Sequence, residues 1–136
     1  MNLVLGICLV VCAAALANAR TEVPARTAES QELLESEWLS DVRCDDCQKK
    51  EEAIYQLGEI ASEKAVIPLL SVLHQDETES SRIVAALALC RIGDARGTFA
   101  VKRAATFDKN PHVRTVCAWF YDTYVEPGSF KFIQSN

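Results

Sequence analysis

The feature that most constrains this chain is a period of 32 residues at which it repeats itself. Shifted by that amount, Ala53 falls on Ala85, Leu57 on Leu89, Ile60 on Ile92, Asp76 on Asp108, Arg82 on Arg114, Val84 on Val116 and Ala86 on Ala118. Those are seven identities in the 34 pairs from 53/85 to 86/118, where unrelated sequence gives about two, and the offset never slips. Similar residues fill the same register: Lys50 on Arg82, Lys64 on Arg96, Leu69 on Val101. A constant period of this size marks a stack of supersecondary units. Each unit cannot bury its apolar face alone and uses its neighbour to do so.

Inside each unit the apolar spacing is helical. Ala53, Leu57 and Ile60 share one face, and Val66, Leu69, Leu70 and Leu73 share another. The joint at Ser62-Glu63 separates the two patterns. Gly93-Asp94 does so in the next copy, with Gly supplying the left-handed residue that ends a helix. The pattern predicts helices near 45–60, 64–74, 77–92, 96–106 and 111–125. An earlier helix near 30–42 carries Leu34, Trp38 and Val42 four residues apart and caps the array. Strand-like alternation occurs only in the tail, Phe130-Lys131-Phe132-Ile133. The second copy is weaker, with Lys102 in place of Leu70 and Ala105 in place of Leu73. The third has only its first helix. The last helix carries a stripe of Val113, Val116, Cys117, Phe120 and Tyr124, with Trp119 and Tyr121 beside it. Either the tail 129–133 folds back over this stripe, or another chain docks there.

The N-terminus is of another kind. Leu3 to Leu16 is an apolar run, and Ala17-Asn18-Ala19 fits the small-x-small rule of signal peptidase. The run is short for a bilayer span and no second one follows. Residues 1–19 therefore read as a signal peptide, 20–30 as a flexible leader, 31–125 as the helical repeat domain and 126–136 as a tail. The expected location is exported, periplasmic or extracellular, with no membrane span once the signal is removed. The net charge of −5 is divided unevenly. Residues 20–81 hold fifteen acids and six bases, and residues 82–136 hold four acids and eight bases. So modest a basic half makes nucleic acid a poor partner. The asymmetry reads first as solvated helix faces of differing composition; the sharper alternative is a dipolar module that docks a charged partner or stacks head to tail.

The stretch LGEIASEKAVIPLLSVL and its second copy LCRIGDARGTFAVKRAA resemble the HEAT-repeat family, in the short bacterial-type subgroup named after phycobilisome lyases. The resemblance covers about residues 45–125. It implies an all-α fold: a short right-handed α-solenoid of about two and a half antiparallel helix pairs. It also implies that Asp76, Arg82, Asp108 and Arg114 pair between layers as a ladder. The Asp would cap the following helix and the Arg would bridge to a neighbouring carboxylate. Family chemistry does not carry over. A di-iron centre needs His-Glu pairs, and here Gln75 follows His74 and Val113 follows His112. Bilin attachment is cytosolic work, at odds with export.

DVRCDDCQKK, residues 41–50, holds the one motif with chemical content. In the repeat register Cys44 occupies the ladder-Asp position, and Cys47 falls on Glu79 at a helix entry. Three readings stay open. A Cys44–Cys47 disulfide staple fits an exported chain best. A redox pair lacks the βαβ context of such motifs. A zinc half-site would draw His74 from the end of the second helix. Cys90 and Cys117 lie in apolar stretches and read as core thiols. No cofactor is expected: Gln48 follows the pair, which excludes haem attachment, and there is no phosphate loop or serine elbow.

These features predict an exported scaffold or adaptor, non-catalytic, that binds another protein through its layer of second helices. Lys64, Ser71, Arg96, Lys102 and Arg103 are the expected contacts. Trp119 and Phe120 are the expected surface for a second copy stacked end to end. The alternative function is an exported thiol-redox or metal-binding protein using Cys44 and Cys47.

Overall fold

The computed structural model describes residues 28–130. The signal peptide expected at 1–19, the leader as far as 27, and the tail beyond Phe130 lie outside the described residues. All regular structure among the described residues is helical: α1 Ala28–Asp41, α2 Cys47–Glu59, α3 Val66–Gln75, α4 Glu79–Ile92, α5 Ala95–Phe107 and α6 Pro111–Tyr124. A single 3-10 turn, Glu63–Ala65, leads into α3. Each helix falls within a few residues of its sequence expectation. The exception at the N-terminus is that α1 begins at Ala28, so the last three residues of the expected leader are helical.

Helix starts follow local chemistry. Asp46 caps α2 by accepting from the Gln48 and Lys49 N–H groups, and Asp94 caps α5 through Arg96 and Gly97. Asn110 accepts from the His112 N–H, with Pro111 as the first residue of α6. Asp76, expected to cap α4, stands two residues ahead of the N-cap Thr78. It accepts from the Thr78 N–H at 2.8 Å, which is an Asx turn and not a helix cap.

α2, α4 and α6 are neighbours in that order, and α3 lies beside α5. α3 packs mainly against α4, its successor, and only weakly if at all against α2. α5 likewise packs most closely on α6, and α1 on α2. The most extensive contact is α2 on α4, followed by α5 on α6 and α3 on α4; of the two helix pairs read from the sequence, α4–α5 is in contact, whereas α2 and α3 scarcely touch. The two joints differ in one respect: the 3-10 turn Glu63–Ala65 lies between α2 and α3, and the α4–α5 joint has no such turn. Ala61 and Gly93 (φ 73°) stand 32 residues apart and end their helices in the same conformation.

The core runs through Ile54 and Leu57, Leu69 and Leu73, Leu89, Val101, Val113 and Cys117. Burial of each leucine contributes about 1.5–3 kcal/mol. α4 sits centrally, and its Ala85, Ala86 and Ala88 let neighbours approach closely. A Cβ at Gly58 would lie 2.9 Å from Ala88 Cα, so only glycine permits this α2–α4 distance. α1 buries none of its own residues. It is held by Trp38 and Leu39 against the core, by Asp41–Lys49 (2.8 Å), and by Glu35, which accepts from Ser62 and Lys64.

Candidate binding face

The period of 32 reappears in the polar network between units. Lys50 Nζ meets Asp76 Oδ2 at 2.8 Å. In the register position of Lys50, Arg82 donates to both carboxylate oxygens of Asp108, at 3.1 and 3.2 Å. Arg82 Nη1 also donates to the Asp76 carbonyl at 2.9 Å, and Arg114 Nη1 to the Asp108 carbonyl at 2.7 Å. The Asn110 N–H donates to Asp108 Oδ1 at 2.8 Å, as Thr78 does to Asp76. The ladder residues thus come together, with Lys50 as the first rung. Arg114, at the last copy, meets only the Asp108 carbonyl. Burial alone pushes the Asp76 carboxyl up, but hydrogen bonds from Lys50 and Thr78 outweigh it and hold the group below its ordinary value. Lys50 is raised in turn by its bond to Asp76.

Each rung forms the floor of a cleft. The first, about 410 Å³, includes Val42, Cys44, Lys50, Ile67, Ser71, Val72, Gln75 and Asp76 in its lining. The second, about 470 Å³, includes His74, Arg82, Arg103, Ala104, Phe107, Asp108 and Lys109. Six lining positions correspond at the 32-residue offset: Val42 and His74, Lys50 and Arg82, Ser71 and Arg103, Val72 and Ala104, Gln75 and Phe107, Asp76 and Asp108. The two clefts thus share a position in the repeat and a paired cation and carboxylate, while the residues around that pair differ. Ile67 and Phe99 also share a register position, and they are 61% and 67% exposed. Sequence reasoning passed over both, although the 32-residue shift aligns them as bulky apolar residues off the core stripe. Phe107, at the rim of the second cleft, was missed as well.

The expected contact residues divide. Ser71 and Arg103 line the clefts. Lys64 instead ties down α1: its Nζ meets Glu35 at 2.8 Å, which raises the amine and lowers the carboxyl. Arg96 folds onto the cap of its own helix, with Nε 3.1 Å from Asp94. Lys102 lies 5.1 Å above the Tyr121 ring and 3.7 Å from Glu126. These three cations are occupied within the chain because each has an acid or a ring within reach. Phe120 is a correction too. It is buried at 8% exposure, because its side of α6 faces the core, whereas Trp119 stays 52% exposed. Phe130 packs edge-to-face on Tyr121, so the tail covers that part of α6.

The cysteine pair is not bridged in this structure; both thiols are free. The Cys44 thiol donates to the Asp46 carbonyl at 3.3 Å, while Cys47 Sγ lies 3.8 Å from Thr78 Oγ1 on α4. The second contact follows the repeat. At the same register in the next copy, Glu79 accepts from Asn110 and also pairs with His112. The His112 bond, chief among these, lowers the Glu79 carboxyl. Cys47 thus reaches the neighbouring unit. His74 lines the second cleft and Cys44 the first, and no three metal-binding side chains converge among the described residues. Cys90 and Cys117 are buried, and burial pushes each thiol up to about 12. No helix among the described residues is long and apolar enough to cross a membrane.

The chain matches no family model and no curated protein.

Proposed function

We propose that this chain is a small exported α-solenoid of HEAT-like helix pairs. It acts without catalysis, as an adaptor that holds another protein against the face formed by α3 and α5. One observation carries the reading: two clefts that share six lining positions at the 32-residue offset, with exposed Ile67 in the lining of the first and exposed Phe99 at the equivalent position of α5. Large apolar side chains repeated at one register of a surface serve contact with another molecule more readily than stability. The hydrogen-bond network at the same period supports the solenoid arrangement. Export rests on the apolar run and the Ala17-Asn18-Ala19 site. A second copy stacked end to end would use Trp119.

Crosslinking capture from the exported fraction tests the reading. The double variant Ile67→Asp, Phe99→Asp should lose the captured partner while retaining its helical circular dichroism. Unchanged capture would remove this face from consideration. The intact mass of the same exported protein should correspond to a start at Arg20; a mass that includes residues 1–19 would overturn signal cleavage.

A further inference from the structure

We propose that the occupant of this face is an extended acidic segment whose side chains enter successive clefts at a spacing of three residues. An apolar side chain fills the first cleft and a carboxylate the second. The inference rests on the docking reading above and names the chemistry of the partner.

Spacing is the first ground. α3 and α5 pack side by side. Sites related by one helix step are separated by about 8–10 Å, the usual distance between packed helices. An extended or polyproline chain advances about 3.1–3.4 Å per residue, so residues three apart lie about 9–10 Å apart. In a polyproline helix, with three residues per turn, those side chains also point the same way. The cleft floors lie at the part-buried pairs Lys50–Asp76 and Arg82–Asp108. Reaching them suits single side chains from a slender backbone. A helix, about 10–12 Å across with its side chains, would ride on the ridge of α3 between the clefts.

Charge is the second ground. In the first cleft Lys50 pairs with Asp76, the lining holds one further cation, Arg43, and one further anion, Asp45, so its formal charges cancel without an ion pair between those two, and Ile67 and Pro68 supply an apolar wall. In the second cleft Arg82 is neutralised by Asp108, but Arg103 and Lys109 have no ion pair among the described residues. That leaves two uncompensated cations beside Phe107. A carboxylate on the partner satisfies them through charge-assisted hydrogen bonds.

The test uses the full exported chain and labelled twelve-residue peptides. Each peptide has one Glu and one Leu in a Pro/Ser background, separated by one to six residues, in both orders. Binding is read by fluorescence anisotropy. The tightest binding is expected at a separation of three, in one of the two orders. Arg103→Glu and Ile67→Asp should each weaken it about tenfold, the loss of one well-placed contact. Equal binding at every separation, or an Arg103→Glu variant that binds unchanged, overturns the inference. A helix-forming peptide with the same residues seven apart serves as control. If it binds in a Phe99-dependent way and the extended set does not, the extended occupant is wrong and the docking face stands. If neither set binds and partner capture survives the double variant Ile67→Asp, Phe99→Asp, both readings fall.

Discussion

Ala61 and Gly93 show how one backbone position constrains its residue. Both end a helix with positive φ, at equivalent places in successive units. The left-handed conformation costs a non-glycine residue about 1–2 kcal/mol, part of which glycine returns as chain entropy. Ala61→Gly should therefore stabilise the protein by about 0.5–1 kcal/mol and raise its melting temperature by roughly 3–6 °C. Gly93→Ala should do the opposite. Nothing lies within 4 Å of a Cβ built there, so the loss would come from the backbone alone. A scan in which Ala61→Gly lowers the melting point would sink this account. The cysteines divide on the same scale. With burial holding Cys90 and Cys117 near 12, a native-state alkylation at pH 8 should label Cys44 and Cys47 after mild reduction and spare the other two until the chain unfolds. Protection of Cys44 and Cys47 before reduction would reveal a bridge that this structure does not contain.

Between elements, the rungs of the ladder are unequal. The side chains of Arg82 and Asp108 are 3% and 8% exposed, whereas Lys50 and Asp76 stand at 14% and 12%. Arg82→Met leaves a buried carboxylate without its partner and should cost about 3–5 kcal/mol. Lys50→Met should cost less, about 1–3 kcal/mol, because water reaches Asp76 more easily. Urea midpoints would rank the two, and the reverse order would contradict the burial argument. The first rung also fixes a pH dependence. The Asp76 carboxyl is held below its ordinary value of 3.8 in the folded protein. Its contribution is therefore complete above that value and lost as pH falls through the lowered folded one. The stability gap between the native chain and Asp76→Asn should be flat above about pH 5 and shrink toward pH 3.

At the scale of the whole molecule, two large apolar side chains stand outside the core. Ile67 and Phe99 are mostly exposed, so changing both to Asp should shift stability by no more than about 0.5 kcal/mol each. The melting temperature should stay within several degrees. A collapse on heating would mean that these side chains stabilise the fold and are not spare for a partner. Charge is arranged on this scale as well. α1 carries Glu29, Glu32, Glu35, Glu37 and Asp41 with no base, while Arg103 and Lys109 stand at the second cleft. An acidic ligand is therefore drawn toward the later unit and repelled by the first helix.

The sequence by itself determined the six helices, their joints and the ladder. Those depend on local periodicity, turn chemistry and a repeat that brings the same residues to the same places. The 32-residue shift aligned Lys50 with Arg82, but its bond to Asp76 is visible only in the structure. Tertiary structure decided which helix pairs with which: α3 packs on α4 and scarcely touches α2. It decided that Lys64 is held by Glu35, 29 residues earlier. It turned Phe120 inward and left Ile67 and Phe99 outside, and it directed Cys47 to Thr78. Such contacts depend on how helices cross, a geometry set by side chains far apart in the chain and absent from any local spacing.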